Sequence, residues 1–207
     1  WLLFDPSTRT FGGTPGDDDV DTLMIRVIAT DPGGLSISDV FNLVVANVND
    51  TPTPNFDAGS VVEAGVVDNV ADPGTPMDSG NVLDNDDDPD LANPVPDVLR
   101  VTQAAVAVSS PNLPTFQAVP EGGTLDLNAS LFGTLTIGSD GEWTYALDND
   151  AANILAQGET VEEVFQYLIS DGAGGAAGSA LTITITGTND APVAVNNNFN
   201  ALIINAH

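Results

Sequence analysis

The chain has 207 residues, of which 30 are Asp or Glu, three are Arg and none is Lys, giving a formal net charge of −27. This balance argues against nucleic-acid binding, which requires cations that displace counterions from phosphates, and against docking on anionic membrane. The sequence has no Cys, and its single His is the last residue, so thiolate, zinc–thiolate, Ser–His and His-Glu-x-x-His chemistries are excluded.

The first predicted element is a β-hairpin that ends near residue 48. In Thr22–Thr30 the side chains alternate between two faces, as in a half-buried strand. Asp31-Pro32-Gly33-Gly34 predicts a turn, and Leu35–Val48 returns as the partner strand. The segment closes on Asn49-Asp50 and runs into Thr51-Pro52-Thr53-Pro54, a stiff stretch with few backbone donors. We therefore place a domain boundary after residue 50.

Short strand-like runs separated by turns fill the middle of the chain. The predicted strands are Ser60–Val67, Val98–Val108, Gly133–Ile137 and Glu142–Leu147. Only Asp150–Ala156 resembles a helical turn, and it is too short to stand alone. The aromatic residues are expected to fill a core, with a sugar-stacking platform as the alternative. These residues are Trp143, Tyr145, Phe165 and Tyr167.

A second hairpin repeats the ending of the first one about 140 residues later. Thr160–Ser170 and Ser179–Gly187 are the predicted strands, joined by a turn that begins at Asp171, and the segment closes on Asn189-Asp190-Ala191-Pro192. Such a repeat indicates a tandem array of β modules. The fold class predicted is all-β, with immunoglobulin- or cadherin-like antiparallel β-sandwich modules of which the first is incomplete. The expected domains are the end of one module in 1–50, a complete module in 51–192 and the start of another in 193–207.

Acidic residues concentrate at turns and at the predicted boundaries. Asp84, Asp86, Asp88 and Asp90 form the densest run, and carboxylates this close repel one another unless a cation lies between them. An EF-hand is excluded, because Pro89 replaces the required Gly and Val95 replaces the bidentate Glu. The alternative is a solvated acidic loop. For Asn49-Asp50 and Asn189-Asp190, and for Asp31 and Asp171 at the two hairpin turns, the alternative to a cation site is an Asx-turn.

Several of these stretches resemble known module families. The Asp31 turn, the strand after it and Val48-Asn49-Asp50 resemble the end of a cadherin repeat, and residues 1–15 (WLLFDPSTRTFGGTP) resemble a dystroglycan-type cadherin-like domain. Residues 80–90 (GNVLDNDDDPD), 133–137 (GTLTI), 140–145 (DGEWTY) and 187–193 (GTNDAPV) are similar to a VCBS module. Such modules are strung in tandem in very large bacterial surface adhesins exported by type I secretion.

The resemblance implies a calcium ligand role for individual residues. At the joint between the first two modules the ligands would be Asn49, Asp50, Asp88, Asp90 and Asp171. Asp31 would serve a joint before the first module, and Glu63 would point toward the next joint together with Asn189 and Asp190. The sequence departs from the cadherin pattern in having no Asp-Arg-Glu motif and in having Thr51 after Asp50.

The leading functional hypothesis is a Ca²⁺-rigidified, non-catalytic extender or adhesion segment of a large protein secreted to the bacterial cell surface. Its expected partners are neighbouring modules of the same chain and a glycan or host surface protein, with no nucleic acid and no membrane insertion, since no apolar run approaches about 18 residues. The alternative is a carbohydrate- or protein-binding module that uses the segment 109–130, including Phe116. An enzyme with paired carboxylates from Glu142, Glu162 and Glu163 is a third hypothesis.

Overall fold

Residues 1–50 form two hairpins that share no packed interior. The computed structural model of the chain describes residues 1–107, 114–128 and 130–191. Within 1–50 the strands are β1 (Leu3–Asp5), β2 (Thr10–Gly12), β3 (Thr22–Thr30) and β4 (Ser36–Val44), with a 3₁₀ turn at Asp17–Asp19. β1 pairs with β2 and β3 with β4, both antiparallel. Leu23, Ile25 and Val27 are half-buried on one face of β3, which confirms the predicted alternation.

Residues 51–191 form the larger part of the fold. Its strands, in the described residues, are β5 (Asp57–Val62), β6 (Gly65–Val67), β7 (Val70–Asp72), β8 (Met77–Asn81), β9 (Arg100–Val106), β10 (Gln117–Ala118), β11 (Thr124–Leu127), β12 (Gly133–Gly138), β13 (Glu142–Leu147), β14 (Thr160–Ser170) and β15 (Ala176–Thr186). A four-residue helix, α1 (Asn149–Ala152), and a 3₁₀ turn at Pro89–Ala92 complete these elements. Among the described residues no helix has the length and hydropathy needed to span a bilayer.

Two sheets pack face to face in this region. In the described residues one sheet has the order β10-β9-β14-β15-β5 and the other the order β11-β12-β13-β8. Neighbouring strands are antiparallel except β5, which runs parallel to β15 from the Asp57–Leu181 pair to the Val62–Thr186 pair. The start of β5 therefore lies at the end of the sandwich where β14 turns into β15. The linker that precedes β5 is delivered to the same end as the turn at residue 171.

The core lies between the two sheets, and the predicted aromatic residues fill it. Tyr145, Phe165 and Tyr167 are at most 1% exposed and Trp143 is 5% exposed. The rings of Tyr145 and Phe165 meet edge to face, with centroids 6.0 Å apart. Glu163 is also buried here, and its Oε2 accepts the Tyr145 hydroxyl at 2.7 Å. These contacts confirm a core of a β-sandwich rather than a surface platform.

The structure corrects several predicted element boundaries. The strand predicted at Ser60–Val67 is wrong, because the chain leaves the sheet after Val62 and resumes as the separate hairpin β6–β7. β8 and β11 were not predicted, since neither segment has an extended apolar alternation. The helical turn is Asn149–Ala152 rather than Asp150–Ala156. Residues 109–113 and 193–207 lie outside the described residues, so the expectations placed there stay predictions.

Candidate metal centre

Three separate segments meet at the end of the sandwich where β5 begins. They are the linker between β4 and β5, the loop between β8 and β9, and the turn between β14 and β15. The linker is pinned on both sides: the Asn49 Nδ2 donates to Asp171 Oδ2 at 2.9 Å, and the Asp50 N–H donates to Asp90 Oδ2 at 2.6 Å. Thr53 and Asp87 then exchange backbone hydrogen bonds of 2.7 and 3.2 Å. The linker is therefore built into the sandwich end.

The loop before β9 presents two buried aspartates on a short turn. Asp88 caps the 3₁₀ turn at Pro89–Ala92, with its Oδ1 accepting the Asp90 N–H at 2.9 Å. Asp90 is fully buried, and both of its oxygens are occupied, Oδ2 by Asp50 and Oδ1 by the Asn93 Nδ2 at 2.7 Å. Asp90 thus holds the linker in place, whereas the Oδ2 atom of Asp88 has no hydrogen-bond partner among the described residues.

Asp171 is fixed by the hairpin turn that it begins. Its Oδ1 accepts the N–H groups of Ala173, Gly174 and Gly175 at 2.7, 2.9 and 3.0 Å. Burial raises the pKa of Asp171, but the hydrogen bond from Asn49 and those from the turn outweigh it, so the pKa is lowered overall. A Cβ on Gly175 would collide with the Asp171 carboxylate, so glycine is required by the close approach. Asp171 therefore forms the Asx-turn considered for it, and the same carboxylate faces the linker.

Asp88, Asp97 and Asp171 converge on one point, which we call the carboxylate centre. Each offers one oxygen, and these oxygens lie within 4.8 Å of one another. Asp88 and Asp171 are 2% and 3% exposed. Asp88 Oδ2 and Asp97 Oδ2 are buried with no hydrogen-bond partner in the described part of the chain. Burial, and then the charges of Asp90, Asp171 and Asp88, raise the pKa of Asp97, because its ionised form is poorly solvated and repelled.

The first two hairpins also bring a carboxylate toward this centre. The 3₁₀ turn at Asp17–Asp19 lies beside the 3₁₀ turn at Pro89–Ala92. The pKa of Asp50 is raised by burial and then by the charges of Asp17, Asp90 and Asp88. The side chain of Asp17 is exposed, but its charge is close enough to the linker to raise the pKa of Asp50. Acidic groups from both parts of the chain therefore face the same joint.

Other predicted ligands lie at the opposite end of the sandwich, about 33 Å away by the rise of β15. Glu63 is fully buried, and its Oε2 accepts the Thr188 N–H at 3.0 Å. Val66 donates its N–H to the Asn189 carbonyl at 2.7 Å. The Asn189 Nδ2 donates to the Asp190 carbonyl, as the Asn49 Nδ2 does to the Asp50 carbonyl. The structure thus brings Glu63 to the end that carries Asn189 and Asp190, and the two Asn-Asp pairs share this side-chain hydrogen bond.

Three further predicted ligands, Asp84, Asp86 and Asp31, lie at neither of these two places. Asp84 is exposed, and Asp86 instead turns toward the start of β5, where its Oδ1 accepts the Asn55 N–H at 2.8 Å. Burial raises the pKa of Asp86 and that of nearby Asp57, which accepts the Tyr167 hydroxyl at 2.6 Å. Asp31 is exposed at the β3–β4 turn, where its Oδ1 accepts the Leu35 N–H at 2.9 Å. The dense acidic run is therefore divided, and only its second half faces the joint.

The sequence reasoning missed Asp97 and Asp17 as site residues. Asp97 stands nine residues after Asp88 in a proline-rich segment, directly before the strand predicted at Val98. Asp17 opens a run of three aspartates before the first predicted strand. Both positions lie a few residues before an observed strand, Asp97 before β9 and Asp17 before β3. That shared placement is the signal that could have identified them.

Comparison with known proteins gives the following matches. Residues 49–187 match the bacterial cadherin-like domain family, and residues 1–46 match a putative Ig domain family. The chain is similar to the solved structure of human mucin-like protocadherin EC1-2, with 14% identity, a TM-score of 0.50, and coverage of 90% of this chain and 78% of that chain. An endo-fucoidan hydrolase from glycoside hydrolase family 107 is matched with 16% identity, a TM-score of 0.30, and coverage of 88% and 25%. No curated protein sequence matches. At these identities the similarity to protocadherin shows the fold alone.

Proposed function

Because the chain belongs to the bacterial cadherin-like domain family, we propose that it is a calcium-rigidified, non-catalytic extender segment of a large adhesin secreted to the bacterial surface. Its second module would be of the VCBS type. Cadherin-like and Ig-like modules in tandem suit an adhesion or spacer role, and their partners would be neighbouring modules of the same chain. The calcium role rests on the carboxylate centre.

The observation that carries the proposal is the pair of buried, unpartnered oxygens, Asp88 Oδ2 and Asp97 Oδ2. A buried carboxylate oxygen without a partner is costly, and three carboxylates within 4.8 Å repel one another unless a cation neutralises them. The donors are all oxygens, and the chain has no Cys and no described His, which favours a hard cation such as Ca²⁺ over a transition metal. The residues present therefore fit a calcium ion, held by Asp88, Asp97 and Asp171.

The chain's own residues would couple such an ion to the linker. Asp171 is hydrogen-bonded to Asn49, and Asp90 is hydrogen-bonded to Asp50. Asp90 lies two residues after Asp88 in the same turn. An ion that fixes the positions of Asp88 and Asp171 would therefore also restrict the motion of the linker between β4 and β5. Calcium modules that work outside the cell have Kd values of about 10⁻⁴ to 10⁻³ M, which suit millimolar extracellular calcium. The ion would favour the ordered joint by linkage, because it binds that state better than the open one.

An isosteric substitution tests the assignment. With Ca²⁺ at about one hundred times its Kd, the wild-type chain should gain about 2.7 kcal/mol in free energy of unfolding. Asp97→Asn keeps the side-chain shape but removes a ligand charge, so it should lose most of this gain. In EDTA the same variant should be slightly more stable than wild type, because its buried, repelled carboxylate is gone. The effects in calcium and in EDTA thus have opposite signs.

The matched control is Asp84→Asn, which changes an exposed aspartate of the same acidic run outside the centre. It should leave both the calcium gain and the stability in EDTA unchanged. Thermal melts at constant ionic strength, with Mg²⁺ as the comparison ion, separate site binding from general screening of the −27 charge. A calcium gain that is equal in wild type and Asp97→Asn would refute the assigned centre.

A further inference from the structure

A cleft with a mixed polar and apolar lining opens beside the carboxylate centre. It has a volume of about 530 Å³, within the range of small-ligand sites. Val101 and Val119 contribute apolar walls, and Ser139 and Ser170 contribute hydroxyl groups. No aromatic side chain lines it in the described residues. A ligand held there would contact polar groups and aliphatic side chains, without ring stacking.

The cleft shares two residues with the carboxylate centre. Asp97 and Asp171 line its wall, and the same side chains supply oxygens to the centre. The strand that follows Asp97 carries Arg100, which also lines the cleft. An ion at the centre would therefore lie against one end of the cleft, with both polar and aliphatic side chains along the rest of it. Protein carboxylates alone would not fill the coordination sphere of Ca²⁺, which takes six to eight oxygens.

An ion pair lines the cleft at Arg100. The Arg100 Nη1 donates to Glu121 Oε1 at 2.9 Å, and the two side chains are 46% and 81% exposed. Arg100 is the only basic residue in positions 49–191 of the sequence. The basic side chain of this otherwise acidic region, Arg100, therefore lines the cleft beside the carboxylate centre. In the described residues Glu121 is its only acceptor, so most of its five N–H donors make no hydrogen bond to the described part of the protein.

The chemistry of these groups selects the ligand. A small anion would be repelled by Glu121 and by the net charge, and a small cation would be repelled by Arg100 and by the ion at the centre. A hydroxyl group can accept from Arg100, donate to Glu121 and coordinate a hard cation through its oxygen. A neutral ligand with several adjacent hydroxyl groups therefore matches the polar groups of the lining.

We propose that this cleft is a calcium-dependent site for a neutral, hydroxyl-rich saccharide, with Arg100 and Glu121 as its recognition pair. The proposal rests on the calcium role proposed above. A pair of adjacent sugar hydroxyls would complete the coordination of the ion beside Asp97 and Asp171. A further hydroxyl would bridge Arg100 and Glu121.

The test uses amide NMR shifts of the full chain with D-glucose, D-galactose, D-mannose and L-fucose as probes, in Ca²⁺ and in EDTA. At least one sugar should give saturable shifts at Ser139, Ser170 and Gly172 in Ca²⁺ and none in EDTA. Arg100→Met keeps most of the side-chain stem and should weaken the binding at least about tenfold. Arg26→Met is the control, because Arg26 lies on β3 and its Nη2 donates to Ser38 Oγ at 3.2 Å.

The outcomes separate this proposal from the calcium role itself. If Ca²⁺ raises the melting temperature but no sugar shifts the cleft amides, the saccharide site is refuted and the calcium joint stands. If Ca²⁺ leaves the melting temperature unchanged, the calcium joint is refuted and the calcium-dependent site falls with it. Binding that survives EDTA, or that Arg26→Met weakens as much as Arg100→Met does, also overturns the proposal.

Discussion

The two parts of the chain bury their apolar residues very differently. In residues 51–191 both sheets contribute to one core, with side chains such as Tyr145, Phe165 and Ile183 at most 1% exposed. In residues 1–50 no residue is buried, and Met24, Leu35 and Ile37 are each at least 75% exposed. Sequences with similar strand alternation therefore reach very different degrees of burial.

This difference in burial shows that a hairpin needs a second packed layer to form a stable module. Two strands offer one apolar face and no second layer, so the hairpin of β3 and β4 gains little from burial. The ring contacts in residues 1–50 join Phe11 of β2 to Phe4 of β1, with centroids 4.9 Å apart, and to Phe41 of β4, with centroids 5.8 Å apart. The order of residues 1–50 relative to the sandwich therefore depends heavily on the joint, where the linker meets Asp90 and Asp171.

The largest expected effect comes from equivalent truncations in the two parts. Phe165→Ala, at a position 1% exposed, should lower the free energy of unfolding of the sandwich by about 3–5 kcal/mol. Phe41→Ala, at a position 41% exposed, should cost about 1 kcal/mol or less. Urea unfolding followed by tryptophan fluorescence measures both. Equal costs would mean that residues 1–50 have a packed core after all.

The pH dependence of the joint is a smaller effect. Burial raises the pKa of both Asp97 and Asp50 above the ordinary value of 3.8, so the folded state binds more protons than the unfolded state just above that pH. The stability of the metal-free chain should therefore fall as pH rises through this window. The lowered pKa of Asp171 acts in the opposite sense, but below 3.8.

Calcium should reverse this slope, because the ion requires ionised ligands and competes with protons. Urea midpoints between pH 4.5 and 7, in EDTA and in Ca²⁺, would show the two opposite slopes. Asp97→Asn serves as the control, since it should make both slopes shallower, whereas a pH dependence that arises from repulsion over the whole chain would hardly change on one substitution. Parallel slopes in the two conditions would contradict an ion at the carboxylate centre.

The sequence predicts the strands with strong alternation and misses those without it. Thr160–Ser170 and Glu142–Leu147 are confirmed to the residue, because a two-residue period places Phe165, Tyr167 and Trp143 on the core face. β8 (MDSGN) has one large apolar residue, and its pairing with β13 is imposed by the sheet. The parallel pairing of β5 with β15 is likewise determined by contacts between segments far apart in sequence, and no local pattern predicts it.

The candidate site was predictable only in part for a similar reason. The resemblance to cadherin repeats places Asn49, Asp50, Asp88, Asp90 and Asp171 at one joint, and the structure brings these five together. Composition alone does not separate Asp86 from Asp88, which lie two residues apart but face different surroundings. Whether a carboxylate oxygen has a partner depends on contacts across the fold, and so Asp97 emerged only from the structure.

The most direct test of the account measures the joint itself. The chain has no Cys, so spin labels can be placed at Met24→Cys on β3 and Gln103→Cys on β9, both exposed. Double electron–electron resonance then gives the distribution of distances between the two parts of the chain. We predict a distribution that narrows when Ca²⁺ is added, and one that stays broad in the Asp97→Asn background. The same width with and without Ca²⁺ in the wild-type chain would contradict the claim that an ion at the carboxylate centre stiffens the joint.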